Sequence, residues 1–87
     1  MKPYALLVNH VVYEFVERLP RRDMLAVRRR FIQIRDFPGN YSDYNEVDES
    51  GVTLEVHVLG KLAIKYWIDD ADRHVKVLDI HPADRKT

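Results

Sequence analysis

His57 and His81, two of the three histidines in the second half of this 87-residue chain, each follow a carboxylate by two positions, Glu55 and Asp79. Histidine exchanges protons near pH 7, so one ring accepting and another donating is a minimal general acid–base pair. Glu55 or Asp79 would orient a ring, Lys65 would add a cation, and Arg85 would clamp a phosphate. His57, Lys65, His81 and Arg85 are therefore the candidate set for a metal-free nuclease. The plainer reading is that a histidine on a solvent-facing strand is an ordinary polar surface residue. A metal centre from Glu55, His57, Asp79 and His81 lacks tight ligand spacing, so no metal and no cofactor is expected. "SDYNEVDESG" (42–51) is rich in oxygen ligands but lacks the spacing of a calcium loop.

Other residue types are better suited to contact. Trp67, on the outer side of a strand, offers either a stacking platform or a partner anchor. The alternative is a ring covered by a loop or by the tail. Arg21, Arg28 and Arg29 lie largely off the apolar stripe of a helix, where arginines are either solvated or a surface for acidic partner segments. "DDADR" (69–73) reads as a turn whose aspartates accept backbone hydrogen bonds.

Composition narrows the function classes. Residues 1–37 carry eight Lys/Arg against four Asp/Glu, and residues 38–87 carry six against ten. The halves are thus +4 and −4, so any nucleic-acid affinity has to come from a local basic face rather than from net charge. The chain has no cysteine, which fits a reducing compartment. The opening "MKPYALLVNH" is too short for a secretion signal, and no run approaches the ~20 apolar residues of a membrane span. A cytoplasmic protein with one domain over residues 1–87 is expected.

The elements that must position these residues follow from periodicity. "PYALLV" (3–8) reads as a strand, and Asn9 stands as the N-cap of a first helix with Val12, Phe15, Val16 and Leu19 on one stripe. Pro20 ends that helix and opens a second, from Arg21 to Asp36, whose core stripe is Met24, Val27, Phe31 and Ile34. A link this short makes the two a hairpin. Residues 37–51 read as a loop. From Val52 the period changes to two, and strands are expected over 52–59, 62–68 and 75–80. A three-residue loop, Leu59–Gly60–Lys61, would set Val58 opposite Leu62 and gather the apolar residues on one side. Glu55 would then face Lys65, and Thr53 would face Trp67, on the outer side with His57, Asp79 and His81. The expected fold is α+β, in the order β-α-α-β-β-β, with an antiparallel-type sheet packed on a two-helix hairpin.

This order of pieces resembles the RelE/ParE superfamily, the toxins of bacterial type II toxin–antitoxin modules, associated with plasmid stabilisation. The resemblance spans nearly the whole chain: the hairpin "YALLVNHVVYEFVERLPRRDMLAVRRRFIQI" with its "LP" break, "FPGN" after the second helix, and "VLGKLAIKYWIDDADRHVKVLDIHPADR". The last is similar to the family's Gly-x-x-Arg-x-x-Tyr-x-x-Asp hairpin and following strand. The family's ribonuclease members use basic and tyrosine residues on the outer sheet face to cleave messenger RNA. In this sequence Glu55 and His57 stand in place of the lysine pair and Ala63 in place of the hairpin arginine. The terminal arginine falls near His81 to Arg85, and the late tyrosine has no counterpart before Thr87. The resemblance implies an antitoxin partner and leaves ribosome-bound messenger or DNA gyrase as target. With the ribonuclease set largely replaced, the expectation is a toxin-family protein acting mainly through binding. The alternatives are an endoribonuclease using His57, Lys65, His81 and Arg85, or a non-toxic interaction module; oligomeric state is left open.

Overall fold

The computed structural model describes residues 3–83. Strand β1 (Ala5–Val8) leads into helix α1 (His10–Glu17), whose N-cap Asn9 accepts the Val11 amide at 2.9 Å. Helix α2 spans Arg21–Asp36, the range its periodicity predicts, with Pro20 as its N-cap. A short 3-10 turn, Pro38–Asn40, then delivers the chain to β2 (Tyr44–Val47), β3 (Thr53–Leu59), β4 (Leu62–Asp69) and β5 (His74–Pro82).

The five strands lie in the order β1-β5-β4-β3-β2. All neighbours are antiparallel except β1, which runs parallel to β5, so the sheet is mixed. Strand β2 falls inside the expected loop 37–51. It is an edge strand of four residues with little apolar content, and its pairing with β3 rather than any periodicity makes it a strand.

One face of the sheet packs on the helical hairpin. Val12 and Val16 of α1 and Val27, Phe31 and Ile34 of α2 meet Ile64 and Tyr66 of β4 and Val75, Val77 and Ile80 of β5. The hydroxyl of buried Tyr66 donates to the Pro38 carbonyl at 2.8 Å, tying the 3-10 turn to the centre of the sheet.

The β3–β4 register differs from the expected one. Leu59 pairs with Leu62, so the loop is the two residues Gly60–Lys61, and His57 faces Ile64 while Glu55 faces Tyr66. Val58 faces Ala63, not Leu62, and Lys65 faces Val56, not Glu55. A slip of one residue moves every side chain to the other side, so Glu55 and His57 share the helix-facing side with Ile64 and Tyr66. Two physical facts decide it. Gly60, at φ 59°, supplies the positive dihedral that a two-residue hairpin needs at its first central position. The far side of the sheet also buries apolar groups without help from helices: Leu54, Val56 and Ala63 are all buried there. Val56 is flanked in register by Tyr44 and Lys65. Apolar alternation along β3 therefore did not point at the helices.

Candidate functional site

The sheet face turned away from the helices collects most of the candidate residues. Cross-strand pairing puts Lys65 opposite Asp79, Ala63 opposite His81, and Trp67 opposite Lys76, all on this side. A register shift between Lys65 and Tyr66 leaves Leu78 as the extra residue of β5, so Asp79 and His81 keep the outer side while Ile80 enters the core.

Each described cation on this face already has a counter-group. Lys65 Nζ lies 3.3 Å from Glu46 Oε2. Lys76 Nζ stands 4.7 Å from the centre of the Trp67 ring and 3.6 Å from Asp69 Oδ2. His81 Nδ1 is 3.0 Å from Asp79 Oδ2, which fixes the ring and leaves Nε2 without a partner among the described residues. Between these pairs the surface is apolar: Val56 and Ala63 fill its floor, and Tyr44, Val58 and Leu78 stand exposed.

His57 is elsewhere. It is buried on the helix side, where the Arg30 guanidinium approaches Nε2 at 2.5 Å and Nδ1 lies 2.7 Å from the Tyr41 carbonyl and 3.1 Å from Asp43 Oδ2. Guanidinium has only donors, so Nε2 must accept and the ring proton sits on Nδ1, donating to Tyr41. Arg30 also donates from Nε to Gln33 at 2.8 Å and lies over the Tyr41 ring at 5.2 Å. Asp43 accepts the Val58 amide at 2.7 Å, and that bond, aided by the neighbouring His57 Nδ1–H and the Arg30 charge, outweighs partial desolvation and holds its carboxyl below the usual range. His57 thus belongs to a polar knot joining α2, the 41–43 segment and β3.

The structure therefore brings Lys65, Trp67 and His81 onto one surface and separates them from His57 by the thickness of the sheet. Arg85 lies outside the described residues. Arg21, Arg28 and Arg29 are exposed on α2, and Arg28 pairs with Glu17 of α1. Glu55 and His57 cannot join Asp79 and His81 around a single ion. Asp69, Asp72 and His74 bring ligand atoms within 4.8 Å of one another, but Asp69 accepts the Asp72 amide and pairs with Lys76, as the acceptor of a turn does. Sequence reasoning missed Arg30, Tyr41 and Asp43, which lie 14 or more residues from His57 along the chain and have no fixed spacing to it. It also missed Lys76, whose place over Trp67 follows from the β4–β5 register alone.

No protein-family model and no curated protein matches the chain. Solved structures do. The RelBE2 toxin–antitoxin complex from Mycobacterium tuberculosis aligns at 20% identity with a TM-score of 0.78, covering 93% of this chain and 99% of that one. The archaeal RelE–RelB complex from Pyrococcus horikoshii aligns at 16% identity with a TM-score of 0.81, covering 98% and 100%. A mutant of the E. coli toxin RelE in the free state aligns at 13% identity with a TM-score of 0.70, covering 95% and 86%. Two helices on one side of a five-stranded mixed sheet, matched over nearly the full described length, give this chain the fold of the RelE toxins.

Proposed function

We propose that the protein is the toxin-family member of a toxin–antitoxin module, that it binds an antitoxin protein, and that it acts on its target by contact rather than by cutting RNA. The structures of RelE-type proteins solved with their RelB antitoxins support the partner class. The observation that carries the mode of action is the state of the outer sheet face. Cleavage of a phosphodiester needs cations free to meet the charge of a pentacovalent phosphorus, each such group contributing about 3 kcal/mol. Here Lys65, Lys76 and His81 are matched to Glu46, Asp69 and Asp79, and the ground between them is apolar. A surface of that kind suits a macromolecular partner, a gyrase-type target among them.

One feature favours a second reading, an endoribonuclease. The Asp79–His81 pair has the form of an oriented general base, with Lys65 diagonally across the strand boundary. The two readings separate on expression in a bacterial host, with growth followed and ribosome-bound messenger mapped for breaks. Growth arrest with intact messenger is the expected result, and it persists in His81→Ala. In-frame cleavage that vanishes in His81→Ala would overturn the contact reading in favour of the nuclease. Absence of arrest would leave a non-toxic interaction module.

A further inference from the structure

A groove of about 330 Å³ opens on the helix side of the sheet, between the first turns of α2 and the β3–β4 turn. It is separate from the outer sheet face, and nothing in the reading above depends on it. Asp23, Ala26 and Val27 line it at i, i+3 and i+4, so one flank of α2 supplies one wall. Leu59 and Leu62, paired across the neck of the hairpin, supply the other, and Leu19 of the α1–α2 link completes the lining. Backbone hydrogen bonds brace both walls: the Met24 amide donates to the Pro20 carbonyl at 2.9 Å, and the Ala83 amide donates to the Lys61 carbonyl at 2.8 Å. The lining is apolar apart from two side chains of opposite charge, Asp23 on α2 and Lys61 in the turn. Both are exposed, and neither has an ion-pair or side-chain hydrogen-bond partner among the described residues.

We propose that this groove binds a small zwitterion with an apolar body, of the class of the free apolar α-amino acids, its ammonium on Asp23 and its carboxylate on Lys61. A volume of about 330 Å³ lies at the small end of the ~300–1,000 Å³ range of ligand sites, which selects a small molecule over a stretch of chain. The apolar walls select an apolar body, since apolar surface sets most of the affinity and a few polar groups fix orientation. Charge complementarity selects the zwitterion. A simple cation would satisfy Asp23 and be repelled by Lys61, a simple anion would do the reverse, and a neutral molecule would leave both charges unmatched. A peptide segment carries no ammonium and carboxylate on one carbon. A carboxylate in the first turn of α2 is also favoured by the helix dipole, which accounts for Asp23 as a residue type. It does not account for an unpaired lysine on the opposite wall of an apolar groove.

The test titrates the full-length, isotope-labelled chain with L-phenylalanine and follows backbone amide shifts by NMR. Saturable shifts centred on Ala26, Leu59 and Lys61 are expected, with a dissociation constant on the order of 0.1–1 mM for so small a ligand. Phenethylamine and 3-phenylpropanoate, which keep the ring and one charge each, bind at least fivefold more weakly. Asp23→Asn weakens L-phenylalanine and phenethylamine but not 3-phenylpropanoate, and Lys61→Gln shows the mirror pattern. Ala26→Leu fills the groove and abolishes binding, while its thermal unfolding stays within a few degrees of the parent because Ala26 is exposed. The proposal falls if the shifts do not saturate by about ten times the expected constant, if the three probes bind alike, or if Ala26→Leu binds as tightly as the parent. It also falls if binding appears only in a chain lacking residues 84–87, which would assign the groove to the chain's own end.

Discussion

His57 shows how one side chain can carry two readings. By type and by its neighbour Glu55 it is a candidate general base; by position it is the hub of a closed set of hydrogen bonds from Arg30 to Tyr41 and Asp43. A base has to reach its substrate, and this ring is buried with both nitrogens engaged. Asp43 gives the set its pH dependence. Its carboxyl is held below the usual range, first by the Val58 amide and then by the His57 ring proton and the Arg30 charge, against partial desolvation. A group with a depressed folded-state pKa contributes stability that is present above its unfolded value, near 3.8, and is lost as pH falls through the folded value. Denaturant titrations at pH 7 and in the acid range below about pH 4 should therefore show Asp43→Asn destabilising the protein most at neutral pH, with the difference shrinking toward acid. A difference constant with pH would mean that the side chain acts through shape alone. Tyr66 works in the opposite direction: burial, then the charges of Glu55 and Asp43, push its phenol well above the usual value. Its contribution is complete below the unfolded value and declines only as strong alkali ionises it.

Among the elements, the β3–β4 hairpin decides the most, because its loop length sets which half of each strand meets the helices. Gly60 sits at φ 59° with open space where a Cβ would project, so substitution there is a backbone effect with no packing component. Gly60→Ala should cost about 1–2 kcal/mol, the penalty of the left-handed region for an L-residue, measured as a lowered denaturant midpoint with unchanged slope. A neutral outcome would mean that the turn relaxes to another type. Strand β1 closes the opposite edge as the one parallel pair, its start fixed by the Ala5 amide donating to the Arg73 carbonyl at 2.8 Å. Arg73 itself takes φ 57° in the β4–β5 turn and lies over the Tyr4 ring at 3.8 Å, so this turn is bound to the first strand. The α1–α2 link and both helix stripes need no such explanation; local sequence sets them.

At the scale of the molecule, the sheet has two different sides, and core substitutions should tell them apart. Ile64 is fully buried between sheet and helices opposite His57, while Val58, the next residue along β3 and paired with Ala63, is 38% exposed on the far side. A chain of this length has a total stability of roughly 4–13 kcal/mol. Ile64→Ala, at about 2–5 kcal/mol, should leave a substantial unfolded fraction at 37 °C, and Val58→Ala should fall within about 0.5 kcal/mol. Circular dichroism melts compare them directly, and equal losses would mean that the far side is covered as fully as the core. The same two-sidedness separates the charged groups of the molecule. The sheet face holds paired charges over an apolar floor, and on the helical face Arg21, Arg22 and Arg29 have no carboxylate partner among the described residues. Among the described residues, no helix is long and apolar enough to cross a membrane.

The sequence by itself determined the helical hairpin. Apolar residues at helical spacing, an Asn cap and a Pro break are local signals, and α2 appears over the very residues they mark. It also determined that three strands follow, and their order, which sufficed for the resemblance to RelE-type toxins that the fold bears out. Tertiary structure alone decided the sides of the sheet. Side chains in a strand repeat every two residues, so one residue of loop length inverts every assignment, and with apolar groups on both sides the pattern could not choose. That single inversion took His57 and Glu55 from the surface to the helix side, leaving Lys65, Trp67, Asp79 and His81 together without them. Strand β2 and the parallel placement of β1 were equally beyond the sequence, since each exists through partners distant along the chain.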